Sequence, residues 1–151
     1  MKSVSFALAI IWYSSSLTLS AATKIDDPKA FVAEVYQKLS KKDSYEPPSD
    51  IYTPRLAKLF REDEKRAKGE VGCLEFVFWV NGQDWKISSL VITSTEDGPD
   101  RKTVIAKFRN ITRREEIHFD FQRSGGHWLL DDAHSVIGDR WTLSQILKCV
   151  P

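Results

Sequence analysis

The chain has 151 residues, of which 42% are hydrophobic and 28% are charged, a composition typical of one compact globular domain. Twenty-two basic and twenty-one acidic side chains leave a formal net charge of +1. Proteins that bind nucleic acid or anionic membranes by bulk electrostatics carry a much larger positive charge, so we expect no nucleic-acid partner.

The first 22 residues are predicted to be a secretory signal peptide. Lys2 provides a positive start, Phe6–Leu19 is apolar but diluted by serines, and Ser20–Ala22 supplies small residues for cleavage. The alternatives are a buried helix or a membrane anchor, but a spanning helix needs roughly 20 apolar residues. No cysteine lies near the cleavage point to carry a lipid. We therefore expect a single mature domain, residues 23–151, in the periplasm or outside the cell, neither lipid-anchored nor membrane-spanning.

Two helices are predicted in the first third of the mature chain. An Asp-Pro pair at residue 27 and a Thr-Pro pair at residue 53 are typical helix starts. The side-chain oxygen accepts free N–H groups there, and proline gives up a donor that has no partner at that position. Helical spacing of apolar residues predicts helices over Pro28–Lys42 and Pro54–Lys68. The residues expected to pack on a sheet are Phe31, Val35, Leu39, Leu56 and Phe60.

From Cys73 onward the apolar residues recur with a period of two, which predicts an antiparallel meander. The predicted strands cover residues 74–80, 84–94, 102–109, 114–123 and 127–135. The pairs Asn81-Gly82 and Gly125-Gly126 indicate two-residue hairpin turns, because these residues tolerate the positive φ that such turns require. Thr142 and Gln145 match a capping box, which predicts a short closing helix. Helices followed by strands indicate an α+β fold.

The second hairpin turn also predicts which side chains share a face. A turn at Gly125-Gly126 pairs residues whose numbers sum to 251, so Phe119 faces Asp132 and Ile117 faces His134. Asp132 and His134 are therefore expected on the apolar face of the sheet, which the helices should cover.

Cys73 and Cys149 are the two cysteines of the chain. In an oxidising compartment an even count predicts a disulfide, and the alternative is two buried thiols. Neither cysteine belongs to a Cys-x-x-Cys pair or lies beside a histidine, so we expect no redox or metal role. The histidines are not at ligand spacing with the cysteines either, and no metal or cofactor is predicted.

Three segments carry a resemblance to a known family: Tyr52–Leu56, Asn81–Trp85 and Trp128–Asp132. In this order after a signal peptide, they resemble a bacterial family of secreted proteins of unknown function, which is similar to the nuclear-transport-factor-two-like superfamily. The resemblance covers roughly residues 27–149. It implies a cone of curved antiparallel sheet wrapped around N-terminal helices, with a ligand pocket at the open end. Members have Asp and Pro in the strand before Asn-Gly-Gln-Asp, whereas this chain has Val77 there, so no acidic function is implied at Val77.

The resemblance also suggests which residues to weigh as a site. Enzymes of that superfamily place a carboxylate or an imidazole in the cone for acid–base chemistry. Asp132 with His134, or Asp84, are candidates for that role. Trp79, Trp85 and Trp128 can stack on a ligand. The alternative is structural: the Asp132 carboxylate accepts backbone N–H groups, and the tryptophans belong to the core. The chain has no Gly-x-Ser-x-Gly elbow, P-loop or Cys-His constellation, so hydrolysis by a nucleophile and phosphoryl transfer lack their usual residues.

We therefore expect a secreted, non-enzymatic binding or accessory domain of the bacterial envelope, for example an immunity or adaptor protein. Its partner is expected to be a protein or a small ligand, and the candidate pocket residues are Asp84, Trp85, Asp132 and His134. The alternative function is a small-molecule isomerase, dehydratase or hydrolase that uses an acid or base in the cone. An exposed sheet face is also compatible with a homodimer.

Overall fold

Two helices precede a five-stranded antiparallel sheet, and a short helix follows it, so the predicted α+β fold is confirmed. The structure is a computed structural model that describes residues 23–41 and 45–149. The predicted signal peptide lies outside the described residues. Within those two ranges, no helix is long and apolar enough to cross a membrane.

The helices begin where the sequence predicts. They are α1 (Pro28–Leu39), α2 (Pro54–Ala67) and α3 (Leu143–Ile146), with a 3-10 turn at Ser49–Ile51. The Asp27 carboxylate accepts the backbone N–H of Lys29 at 3.0 Å, and the Thr53 hydroxyl accepts that of Leu56 at 3.3 Å. Helix α1 ends before its predicted last residue, Lys42, which itself lies outside the described residues. Local capping chemistry therefore sets both helix starts.

The sheet is an open meander in which each strand pairs with the next. Its strands are β1 (Ile87–Glu96), β2 (Arg101–Asn110), β3 (Arg113–Ser124), β4 (His127–Ser135) and β5 (Trp141–Thr142). Strands β2, β3 and β4 match the prediction within one residue at each end. Gly125 and Gly126 have φ of +58° and +83°, which residues with a side chain rarely adopt, and they form the predicted tight turn between β3 and β4.

The predicted strand at residues 74–80 is wrong, and so is the predicted hairpin at Asn81-Gly82. No strand forms between α2 and β1, and one isolated bridge joins Val77 to Gly82. All three residues of Phe78–Val80 are buried, whereas a half-exposed strand would alternate buried and exposed side chains. The core covers this apolar run on all sides, so its side chains are buried although its backbone joins no sheet.

Side chains from the core hold this irregular segment in place. The buried Asn110 amide donates to the carbonyl oxygen of Val80 at 3.0 Å and accepts the backbone N–H of Lys86 at 3.0 Å. The buried Tyr36 hydroxyl donates to the carbonyl oxygen of Trp79 at 2.6 Å. Backbone groups that lack a ladder partner are thus satisfied by side chains.

The helices cover one face of the sheet, called here the inner face. Its buried residues are Val104, Ala106, Phe108, Ile117, Phe119, Phe121 and Leu130. Helix α1 contacts β1 and β2, and helix α2 contacts β4. Of the five helix residues predicted to pack there, Val35, Leu39 and Leu56 are buried, while Phe31 and Phe60 are half-buried. The opposite side of the sheet is called the outer face.

A β-bulge between β3 and β4 changes the register that the turn predicts. The first four pairs after the turn follow the prediction, but the register then shifts by one residue at Asp131. Asp132 therefore pairs with Asp120, and His134 pairs with His118. Because side chains alternate along a strand, the prediction that Asp132 and His134 share the apolar face is wrong. Both side chains lie on the outer face.

The predicted disulfide between Cys73 and Cys149 is present, with the two Cα atoms 5.5 Å apart. It joins the segment after α2 to the residues that follow α3. Asp63 lies buried beside it and accepts the backbone N–H of Cys73 at 3.0 Å. A Cβ atom at Gly72 would overlap the carboxylate of Asp63, so a side chain there would displace Asp63 from this position.

Candidate functional site

An aromatic cavity opens between α2, the loop before it and the irregular segment that precedes β1. Its volume is about 540 Å³, within the range of small-molecule sites. Seven aromatic side chains line it: Tyr45, Tyr52, Phe60, Phe76, Phe78, Trp79 and Trp85. The remaining lining residues are mostly aliphatic, with Glu46 and Gln83 as polar exceptions. We call this site the aromatic cavity.

The walls of the aromatic cavity are braced by contacts between its own rings. The rings of Tyr52 and Phe60 lie 4.8 Å apart at 30°, and Phe60 is 6.4 Å from Phe78. Phe78 continues the series to Trp79 at 5.0 Å. Such tilted and offset arrangements are favourable and leave little freedom to each ring. The cavity is therefore largely formed before any ligand binds.

Trp79 contributes an unusual feature to this wall. Its side chain is 2% exposed and stacks on Phe119 with ring centroids 4.6 Å apart, yet its indole N–H has no acceptor among the described residues. The indole N–H groups of Trp85 and Trp141 donate to oxygen atoms at 2.9 and 2.8 Å. An unsatisfied buried donor costs about 1 to 3 kcal/mol. Because this nitrogen is almost fully shielded from solvent, the N–H belongs to the packed core rather than to the open part of the cavity.

The charge of the aromatic cavity comes from its rim. Glu46 is exposed and is the one charged side chain among the described lining residues. Burial raises the pKa of Tyr52 above its usual value, and the negative charge of Glu46 raises it further. The Tyr52 hydroxyl therefore stays protonated at neutral pH and can donate a hydrogen bond.

The four residues predicted to form one pocket do not line a common cavity. Trp85 lines the aromatic cavity, where its indole N–H is held by a backbone carbonyl. Asp84 is exposed and lines a separate hollow of about 360 Å³. Asp132 lines a third hollow, of about 370 Å³, which is rich in charged residues. His134 lies on the outer face, with Nδ1 3.3 Å from a carboxylate oxygen of Asp120.

Asp132 has a structural role, as the alternative interpretation of the sequence predicts. One carboxylate oxygen accepts the backbone N–H groups of Ala133 at 2.9 Å and Ser144 at 3.0 Å. Ser144 belongs to the first turn of α3. Asp132, which lies in β4, therefore caps that helix from a distant part of the chain. The predicted capping box is wrong in this respect, because the Thr142 side chain makes no capping hydrogen bond.

We expect Asp132→Ala to lower the free energy of unfolding by about 1 to 3 kcal/mol, because two backbone donors lose their acceptor. Asp132→Asn keeps an acceptor oxygen and should lose less. Asp84→Ala removes an exposed carboxylate and should change stability by less than about 0.5 kcal/mol. Urea denaturation of the three variants measures the difference. Equal losses for Asp132→Ala and Asp84→Ala would contradict the capping role.

The outer face brings two histidines together across β3 and β4. The rings of His118 and His134 lie 5.0 Å apart, and His118 Nε2 is 2.9 Å from a carboxylate oxygen of Glu116. The hydrogen bond with His118 lowers the pKa of Glu116, and Lys107 lowers it further. This pairing makes the outer face polar around the histidines.

One group of side chains in the described ranges has the spacing of a three-ligand metal site: Asp63, Cys73 and Cys149. Its two sulfur atoms are joined in the disulfide, so neither can act as a thiolate ligand.

The sequence interpretation missed most of the residues that line the aromatic cavity. Tyr52, Phe60 and Phe76 come from segments that are distant along the chain. One signal was available: the run Phe76–Val80 is apolar without alternation, which is typical of a fully buried segment rather than a half-exposed strand. If this run had not been assigned to a strand, its aromatic side chains could have been considered as residues that line a cavity.

Comparison of the chain with protein-family models, curated proteins and solved structures gives no match in any of the three. The resemblance to the nuclear-transport-factor-two-like superfamily therefore stays a prediction. Function is argued below from the chemistry of the aromatic cavity.

Proposed function

We propose that this protein is a secreted, non-enzymatic binding protein that holds a small apolar molecule with a hydrogen-bond acceptor in the aromatic cavity. One observation carries the proposal: seven aromatic side chains line one cavity of about 540 Å³. Apolar cavities with a few placed polar groups are the usual form of small-molecule sites.

The lining favours a flat ligand with a carbonyl or ether oxygen. Aromatic walls gain from offset stacking or edge contacts with a ring, and the lining residue Tyr52 carries a protonated hydroxyl that can donate a hydrogen bond. A net gain of about 0.3 kcal/mol per non-hydrogen atom gives about 5 kcal/mol for a probe of about 17 such atoms. We therefore expect dissociation constants of about 0.1 to 1 mM for simple probes of this kind.

The disulfide supports secretion. Bonds such as Cys73–Cys149 persist in oxidising compartments and are rare in the bacterial cytosol. Together with the predicted signal peptide, this supports the proposed location in the envelope or outside the cell. The predicted immunity, adaptor and homodimer roles stay predictions, and recovery of the protein with its partners from its own envelope would test them.

The candidate residues for the enzymatic alternative do not lie together in the aromatic cavity. The Asp132 carboxylate is engaged by backbone donors, His134 lies on the outer face, and Asp84 lines another hollow. Among the described residues that line the aromatic cavity, Glu46 is the one carboxylate and none is a histidine. We therefore propose binding without catalysis.

The proposal can be tested with Prodan, an uncharged naphthalene ketone whose emission shifts to the blue in an apolar site. We expect saturable binding, with a dissociation constant in the range given above, because the naphthalene ring fits the aromatic walls. Direct excitation of the dye at long wavelength avoids the protein's own tryptophans. Fluorescence titration of the purified protein measures the affinity.

A matched pair of variants locates the binding site. Leu74→Trp fills part of the aromatic cavity and should weaken Prodan binding by about tenfold or more, equivalent to about 1.4 kcal/mol. Val71→Trp adds the same side chain three residues away, where the native residue is 73% exposed, and should leave the affinity unchanged. Circular dichroism checks that both variants fold. Absence of saturable binding, or equal affinities for the two variants, would contradict the proposal.

A further inference from the structure

We propose that the free edge of β1 pairs with β1 of a second copy of this chain, so that the two sheets join into one continuous antiparallel sheet. This inference is independent of the aromatic cavity. It rests on the position of β1 in the sheet, on the absence of charge along most of that strand, and on the register in which two copies of β1 fit each other.

Strand β1 is an edge strand of the sheet. It pairs with β2 on one side, and no other described segment pairs with it. The Asp97 backbone N–H donates to the carbonyl oxygen of Arg101 at 3.1 Å, which continues the ladder between β1 and β2 past the end of β1. Because backbone groups alternate in direction along an antiparallel strand, Ile92, Ser94 and Glu96 direct their N–H and C=O groups away from β2. These groups form an open row of donors and acceptors.

The sequence of β1 does little to block another strand. Residues 87–95 include no charged side chain and no proline, in a chain whose residues are 28% charged. Edge strands usually carry a lysine, a proline or a bulge that prevents further pairing. Here one bulge, between Ser88 and Val91, leaves the remainder of β1 in regular register with β2. Leu90 and Val91 are 36% and 56% exposed, so apolar surface adjoins the open row.

The two ends of β1 select one register for the pairing of two copies. A twofold axis at Thr93 places the outward backbone groups of Ile92 and Ser94 opposite each other. A shift of the axis toward the C-terminus would bring Glu96 opposite an apolar residue, and a shift toward the N-terminus would bring the bulge into the interface. The paired residues are then Val91 with Thr95, Ile92 with Ser94, and Thr93 with Thr93. Such β-branched and hydroxyl-bearing pairs are favourable across strands.

A second copy meets little electrostatic resistance at this edge. The formal net charge of the chain is +1, so two copies repel each other weakly. The Glu96 carboxylate lies 3.4 Å from the Lys102 ammonium of its own chain, which balances its charge. Antiparallel pairing of identical strands is symmetric, as a twofold dimer requires. Two short strands bury less surface than the about 1,200 Å² of a stable complex, so we expect a transient dimer with a dissociation constant of about 10 to 100 µM.

Sedimentation equilibrium of the purified protein, at concentrations from about 5 to 500 µM, tests the association. We expect the average mass to rise from that of the monomer toward twice that value as the concentration increases. An average mass that stays at the monomer value over the whole range would overturn the inference.

A matched pair of variants at Ser94 tests the backbone contact. Ser94→Pro removes an N–H group that points away from β2, so the ladder between β1 and β2 keeps its hydrogen bonds. It should weaken dimerisation by about tenfold or more, because the symmetric pairing loses this donor from both copies. Ser94→Ala removes the hydroxyl but keeps the N–H, and its dissociation constant should stay within about twofold of the native value. Equal dimerisation of the two variants would overturn pairing through this edge.

Opposite charges at Thr93 test the register. Thr93→Lys and Thr93→Asp each place two like charges beside the twofold axis, and each should weaken dimerisation by about fivefold or more. An equimolar mixture of the two variants should restore dimerisation, because an ammonium group then faces a carboxylate. Val71→Lys adds the same charge where the native residue is 73% exposed, and it should dimerise as the native protein does. Circular dichroism checks that the variants fold.

The outcomes separate the dimer from its geometry. If the native protein dimerises but the mixture does not restore association, the register centred on Thr93 is overturned. If Val71→Lys weakens dimerisation as much as Thr93→Lys does, net charge is responsible and the assignment to the β1 edge is overturned. If Ser94→Pro does not fold, the mixture of the two Thr93 variants decides the edge assignment, which stands when association is restored and falls when it is not.

Discussion

Replacing both Cys73 and Cys149 with serine should lower the free energy of unfolding by about 4 to 5 kcal/mol, the largest effect that we expect from removing any one feature. The disulfide closes a loop between cysteines 76 positions apart, and opening that loop increases the entropy of the unfolded chain. The bond also holds the end of α3 against the segment after α2. Both consequences favour unfolding.

Urea denaturation of the native protein and the double serine variant measures this loss. Dithiothreitol should destabilise the native protein to the same extent and should leave the variant unchanged, which controls for the serine side chains. A loss of less than about 1 kcal/mol in the free energy of unfolding would contradict the expectation. It would show that removing the disulfide adds little conformational entropy to the unfolded chain.

Leu39→Ala should cost about 2 to 5 kcal/mol, because Leu39 is 1% exposed in the last turn of α1 and belongs to the core. Alanine has a slightly higher helix propensity than leucine, so the loss comes from packing and not from the helix itself. The large range reflects how far the surrounding side chains can close the space that leucine leaves.

Val71→Ala provides the control for Leu39→Ala. Val71 is 73% exposed, so its truncation should change stability by less than about 0.5 kcal/mol. Thermal and urea denaturation of both variants measure the two costs. A cost near zero at Leu39 would place the apolar side of α1 outside the core and contradict the packing of α1 on the inner face.

The acid–base alternative illustrates how one local irregularity changes a functional interpretation. The tight turn sets a register that places Asp132 on the apolar face, and this register holds for the first four pairs. The bulge at Asp131 then turns Asp132 and His134 to the outer face. Nothing in the residues near the turn encodes the extra residue, because a bulge depends on how the whole strand fits its partner.

The sequence alone determined the features that depend on neighbours along the chain. Asp27 and Thr53 cap the helices that follow them, because the side-chain oxygen and the N–H group it accepts lie within three residues. Gly125-Gly126 forms the predicted turn because glycine adopts positive φ without strain. The two cysteines and the predicted compartment were enough to predict the disulfide.

Only the tertiary structure decided the features that bring distant residues together. Asp132 in β4 accepts the backbone N–H of Ser144 in α3. No local sequence pattern around α3 could therefore identify the residue that caps this helix. The aromatic cavity combines side chains from the loop before α2, from α2 itself and from the irregular segment before β1. Hydrophobic periodicity reports which residues avoid water, but not whether a fold closes around them or leaves a cavity among them. That depends on how three-dimensional packing fills the volume. The lack of an acceptor for the buried Trp79 N–H among the described residues is likewise visible only in the tertiary structure.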